Sequence, residues 1–169
     1  IVPELVIYVQ SNGDLALWDA TRTHIKQARI PSKQFVGHMY PSSRQFFSGF
    51  YHFTPDTLWN GLKVDNTVLC SGLLHDWIRW QFQPAQDPEQ PFELFKRVLQ
   101  HLSPHPEEQL IPGTPMRTSV EDVRDIPTLQ LPYGLVPITH ISAGMQRVIG
   151  LAYLLTWAWH EHVQAALLR

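Results

Sequence analysis

The stretch "HISAGMQRVIGLAYLLTWAWHEH", residues 140–162, decides how this chain is organised. It continues a strand-like run, "LVPITHI" at 135–141, and at Ser142 and Gly144 changes into an apolar tract with no polar face for three turns. The apolar centre, residues 148–159, is shorter than the roughly 20 residues a membrane crossing needs. Ser142 stands where an N-cap belongs, its hydroxyl oxygen able to accept a first-turn backbone N–H. The stretch therefore predicts a buried helix from about Ser142 to Leu168, entered directly from a strand.

Working outward, "TLQLPYGLVPITHI" has β character on both sides of Pro132-Tyr133-Gly134 and predicts a hairpin over 128–141. At the other end, "LVIYVQSNGDLALWDA" places Asn12-Gly13 between two β-rich runs, a strong hairpin signal, and predicts a second one over 5–20. Between them, "FTPDTLWNGL" reads as a helix start, with Thr54 as N-cap, Pro55 at the first helical position and Asp56 in the first turn. "GLLHDWIRWQFQ" reads as a helix with Leu73, Leu74, Trp77, Ile78 and Trp80 on its apolar side and Asp76 and Arg79 outside. "PFELFKRVLQHL", residues 91–102, sets Phe92, Phe95, Val98, Leu99 and Leu102 on one face of a third. Residues 21–49 show no sustained period and read as loop, and the prolines from Pro84 to Pro132 predict an extended connector. The expected class is α+β, as a single domain or fragment: 1–50 hairpin and irregular chain, 51–102 helical subdomain, 103–127 connector, 128–169 hairpin and long helix. The two hairpins are expected to flank the helical part, with the long helix at the centre.

Composition narrows the function classes. The 169 residues carry 44% hydrophobic and 17% charged side chains, with six Trp and eight Phe, which excludes a disordered chain. A net charge of -2 gives no overall positive field for nucleic acid or an anionic membrane. Cys70 is the single cysteine, so no internal disulfide forms, and its apolar setting, "NTVLCSGLL", favours core packing over a reactive thiol. "IVPELVIYVQ" lacks the features of a signal peptide, so a cytoplasmic protein without membrane association is expected. The start at Ile1 rather than Met suggests a processed product or an excised segment.

A helix N-terminus offers unpaired backbone N–H groups and about half a positive charge, which together attract anions. Here Ser142 adds a hydroxyl donor, Ala143 and Gly144 permit close approach to the backbone, and Arg147 lies one turn on. The plain alternative is that Ser142 only caps a core helix. The longer pattern Ser142-Ala143-Gly144-Met145-Gln146-Arg147 resembles the signature motif of ABC-type ATPases, in the branch that includes RecF-like, chromosome-maintenance and AAA-family ATP-binding proteins. "FTPDTLWNGL", "GLLHDWIRWQ" and "RDIPTLQLPYGLVPITHISAG" also look like blocks of one group of bacterial ATPases in that branch, so the resemblance spans most of the chain.

The resemblance implies a partial P-loop/ABC ATPase fold in which Ser142, Ala143, Gly144, Gln146 and Arg147 contact the γ-phosphate of ATP held by a partner protomer. ATP and Mg²⁺ then belong to an intact homodimer joined through nucleotide, and DNA or an effector protein is open as a further partner. No G-x-x-x-x-G-K-[ST] loop occurs in the sequence, and the acidic Walker B strand that should follow the signature helix does not occur either. The chain is therefore expected to be the middle of a longer ATPase, inactive in isolation, with no catalytic residue in cis.

Two rival classes exist. "HISAG" is similar to the nucleophile elbow of α/β-hydrolases, which would make Ser142 a nucleophile, yet only His160, Glu161 and His162 follow it, about 27–30 Å along the same helix. Alternatively the chain is a stand-alone interaction module, with Trp59, Trp77 and Trp80 as either core or hot-spot residues. No metal set is expected: His160 and His162 face opposite sides, and the pairs His101/His105 and Asp122/Asp125 have no third ligand.

Overall fold

The computed structural model describes residues 4–22, 50–64, 66–84, 90–103, 105 and 109–167. The reading of 23–49 as loop lies outside them, as does the stretch 85–89 around Pro88. The described chain is mixed α and β, with small antiparallel sheets and a long last helix. It divides into two compact units, one of residues 1–54 and 158–169 and one of 55–157.

In the first unit, β1 (Leu5–Val9), β2 (Leu15–Asp19) and β3 (Phe50–Phe53) form an antiparallel sheet in the order β1-β2-β3. The Asn12-Gly13 turn sets the hairpin: Gly13 has φ 93°, a conformation glycine adopts without strain, and Asn12 Oδ1 accepts the Asp14 N–H at 3.0 Å. Leu15 pairs with Phe53 and Leu17 with Tyr51, giving one continuous buried apolar row. Period two carries that same face of β2 on to Asp19, so a carboxylate ends a row of core side chains.

The second unit begins with α1 (Pro55–Asn60), then an antiparallel pair of β4 (Leu62–Val64) and β5 (Thr67–Cys70). Gly61 and Gly72 bracket this pair with φ 106° and 91°, and a Cβ on Gly72 would lie 2.4 Å from the Gly61 nitrogen. The two backbones therefore touch, and no other residue fits at Gly72. α2 (Leu73–Phe82) and α3 (Pro91–Leu102) follow. Trp77 meets Phe95 edge-on at 4.8 Å between ring centroids, and Trp80 lies 6.3 Å from the same ring. Fully burying a side chain such as Phe95 contributes about 1.5–3 kcal/mol of transfer free energy, and the larger indoles bury more area, so this cluster is a major part of the core of the unit.

The proline-rich stretch after α3 is more regular than its composition predicts. β6 (Ile111–Pro112) joins β9 (Thr128–Leu131) and β10 (Gly134–Pro137) in a sheet ordered β10-β9-β6, and β7 (Met116–Arg117) pairs with β8 (Asp125–Ile126). Pro112 is tolerated because β6 is an edge strand and only two residues long. The predicted hairpin around Pro132-Tyr133 is present, although its second strand stops at Pro137 rather than Ile141.

α4 (Ala143–Leu167) is the long helix the opening stretch predicts. Ile149, Gly150, Ala152, Tyr153, Leu154, Thr156 and Trp157 are buried. No helix among the described residues is long and apolar enough to cross a membrane.

One expectation is corrected outright. Asp76, read as lying outside α2, is 1% exposed, among the most buried side chains of the unit. Trp77 and Trp80 are core, and Trp59 is half-buried.

Candidate functional site

The entry to α4 is held by its neighbours. After β10, Ile138 is fully buried and its N–H donates to the Pro127 carbonyl at 3.0 Å, while the His140 N–H closes a turn onto Pro137 at 2.9 Å. Ile141 is also buried, so the chain reaches Ser142 with its apolar side chains pointing inward and its backbone fixed. The Ser142 hydroxyl oxygen accepts the Met145 N–H at 3.3 Å, which is N-cap geometry, and its carbonyl accepts the first helical N–H, from Gln146, at 2.9 Å.

Ser142, Ala143, Gly144 and Arg147 are all exposed. A Cβ on Gly144 would meet nothing closer than the Ser142 hydroxyl oxygen, at 4.0 Å, so the backbone there is open to a ligand. The first turn holds no acidic residue, which leaves the positive end of a 25-residue helix without a compensating carboxylate on its own first turn. Among the described residues Arg147 has no hydrogen bond or ion pair, so the salt bridge that would explain it as structural is not formed within them.

Gln146 differs from its four companions. Its side-chain amide donates to the carbonyls of Ile138 and Thr139, each at 3.4 Å, tying the first turn of α4 to the turn that precedes it. The five residues are thus brought together, but four present themselves to solvent and one is turned inward to brace them.

The hydrolase rival finds no support in this geometry. His162 is engaged far along α4: its Nδ1 lies 3.0 Å from Asp19 Oδ1 and 3.2 Å from the Thr21 hydroxyl, and its Nε2 is 3.6 Å from Glu4. Glu161 pairs with Arg22. Burial, the largest influence on Arg22, opposes its charge, but Tyr51, Glu161 and Asp19 together outweigh it and hold the guanidinium above its ordinary value. His162 and Glu161 thus belong to a structural cluster of the first unit. No group of three metal-ligating side chains exists among the described residues.

Sequence reasoning missed a second polar cluster. Tyr153 on α4 donates its hydroxyl to Asp76 Oδ2 at 2.8 Å, and Cys70 Sγ lies 2.9 Å from the same hydroxyl. The phenol has one proton and gives it to the carboxylate, so the thiol must donate to the phenol oxygen. Burial first, then Cys70 and Asp76, push the Tyr153 hydroxyl far above its ordinary pKa, so it stays protonated. Arg79 Nη2 approaches Asp76 Oδ1 at 3.2 Å and supplies the compensating charge. No motif spacing reveals this cluster, because its members come from β5, α2 and α4.

No protein-family model, curated protein or solved structure matches the chain.

Proposed function

We propose that this chain is the signature-bearing segment of an ABC-type, RecF-like ATPase with a partial P-loop/ABC fold. In this reading Ser142 and the backbone N–H groups around Ala143 and Gly144 contact the γ-phosphate of ATP held by a partner protomer, in a homodimer that ATP joins. The observation that carries the reading is the exposed, unobstructed Ser142-Ala143-Gly144 entry to a 25-residue helix whose first turn has no acid. Preorganised donors at a helix end stabilise charge on a phosphoryl group without reorganising. Arg147 adds a cation one turn on, and Gln146 acts as the brace of the loop rather than as a phosphate contact.

The donor set fits the anion and not the cation. Hydroxyl and N–H groups with a nearby guanidinium suit phosphate, while Mg²⁺ is bound through carboxylates and substrate phosphates and this first turn has no carboxylate, so in this reading the metal belongs with the partner's phosphate loop. The chemistry supplied from this side is positioning and charge stabilisation.

Ser142→Asp in the intact ATPase separates the reading from a structural cap. Asp caps a helix as well as Ser and adds favourable charge at the N-terminus, so folding should be unchanged. Facing a γ-phosphate, the same carboxylate sets anion against anion, and ATP-driven dimerisation and hydrolysis should be lost. Gly144→Glu should act likewise, because its added side chain meets open space and costs the fold little. A stable Ser142→Asp protein with full activity would show that the motif is only a cap. The interaction-module alternative keeps only half-buried Trp59 of its three candidate anchors, since Trp77 and Trp80 are buried.

A further inference from the structure

The second unit contains a cavity of about 370 Å³ that shares no lining residue with the entry to α4. Its floor is apolar and partly aromatic, made by Trp59 at the end of α1, Leu74 and Ile78 on α2, and Ile126 on β8. Its rim carries His75, Arg79, Arg124 and Asp125. The size falls within the range of small-molecule sites, and the division into apolar floor and polar rim is the one such sites show.

Both guanidinium groups are held by carboxylates yet keep donors free. Arg124 grips exposed Asp122 through Nε and Nη2, at 3.0 and 2.7 Å, which leaves its Nη1 without a partner among the described residues. Arg79 approaches buried Asp76 with Nη2 alone, so the rest of its fork is open in the same sense. Anchoring of this kind lowers the entropy lost when an anion is bound, and an arginine fork suits phosphate. Asp125 accepts N–H donors, and Asn60 and Ser71, which also line the cavity, can both donate and accept.

We infer that this cavity binds a nucleoside monophosphate unit, with the base on the Trp59 and Ile78 floor and the phosphate between Arg79 and Arg124. An aromatic and aliphatic floor stacks any base, and a neighbouring cation is what a sugar-phosphate requires. The unit has two sources with the same chemistry, a free nucleotide and one residue of a single strand. The inference does not rest on the ATPase reading, and the choice of probe keeps the two apart, because adenosine 5′-monophosphate has no γ-phosphate.

Calorimetric titration of the 169-residue chain with adenosine 5′-monophosphate should show one saturable site. Arg124→Ala should weaken it at least tenfold, since Arg124 is exposed and its only side-chain partner among the described residues is exposed Asp122, so folding survives the change. Arg97→Ala, an exposed arginine on α3 outside the cavity, should leave binding unchanged. Inorganic phosphate should bind at least tenfold more weakly than the nucleotide. The Trp59 indole N–H resonance should shift along the same isotherm, a readout independent of any variant. A six-nucleotide single strand that binds more tightly than the mononucleotide, with steep salt dependence, identifies the strand as the source, and equal affinity identifies the free nucleotide. The inference is overturned if neither probe binds, if Arg124→Ala binds as well as wild type, if phosphate matches the nucleotide, or if Trp59 does not respond.

Discussion

Asp76 shows what a residue type hides. Its charge argues for the outside of α2, but Leu73, Trp77 and Trp80 are three before, one after and four after it, and that spacing puts all four side chains on one face. The position was legible in the spacing; what made burial tolerable was not, because the donor, Tyr153, lies 77 residues further on. A buried carboxylate persists only when its lone pairs are satisfied, and Tyr153 and Arg79 do this from opposite oxygens. Tyr153→Phe keeps the ring in place against Trp80 but removes the donor. It should destabilise the protein by about 1–3 kcal/mol, the cost of leaving a buried acceptor short of a partner. Urea unfolding monitored by tryptophan fluorescence reads the change as a lower midpoint at unchanged slope. An unshifted midpoint would mean that the phenol adds nothing to the carboxylate.

Among the elements, those announced by local chemistry were legible and those without it were not. Asn12-Gly13, Pro132-Tyr133-Gly134, Pro55 and Pro91 each start or turn an element through their own backbone preferences, and Ser142 starts one through its side-chain cap. The strands β4 to β8 are two to four residues long, too short to display a period, and their pairing is fixed by partners distant in sequence or by the contact of Gly61 with Gly72. Of the candidate site, the Ser142 cap and the openness of Gly144 were readable from residue type, but the inward turn of Gln146 depends on where the carbonyls of Ile138 and Thr139 fall. The β7–β8 connection carries a testable electrostatic device. The Asp122 carboxyl is lowered from 3.8 to about 2, first by the side-chain hydrogen bond from Arg124 and then by that residue's backbone N–H. A folded pKa below the unfolded one means that what this exposed pair contributes is fully present above about pH 4 and is lost as pH falls toward 2. Carbon-detected NMR titration should find the Asp122 midpoint near 2 and return it toward 3.8 in Arg124→Ala; a wild-type midpoint near 3.8 would contradict the pairing.

At the level of the whole molecule, the residues that carry the ATPase reading all lie in one unit, while the histidine and glutamate that follow them in sequence serve the other. The full sequence has no phosphate loop, so the 169-residue chain should show no Mg²⁺-dependent ATP turnover after repurification. A coupled-enzyme assay checks this, and turnover that copurifies with the chain would require a nucleotide site of another kind. The structure also supplies a means of watching the second unit open. Cys70 is the only thiol in the sequence, 2% exposed and tied to Tyr153. A thiol-reactive dye can reach it only when that cluster comes apart, so the rate of labelling in native buffer is a clock for local opening, built into the wild-type chain and needing no engineered probe.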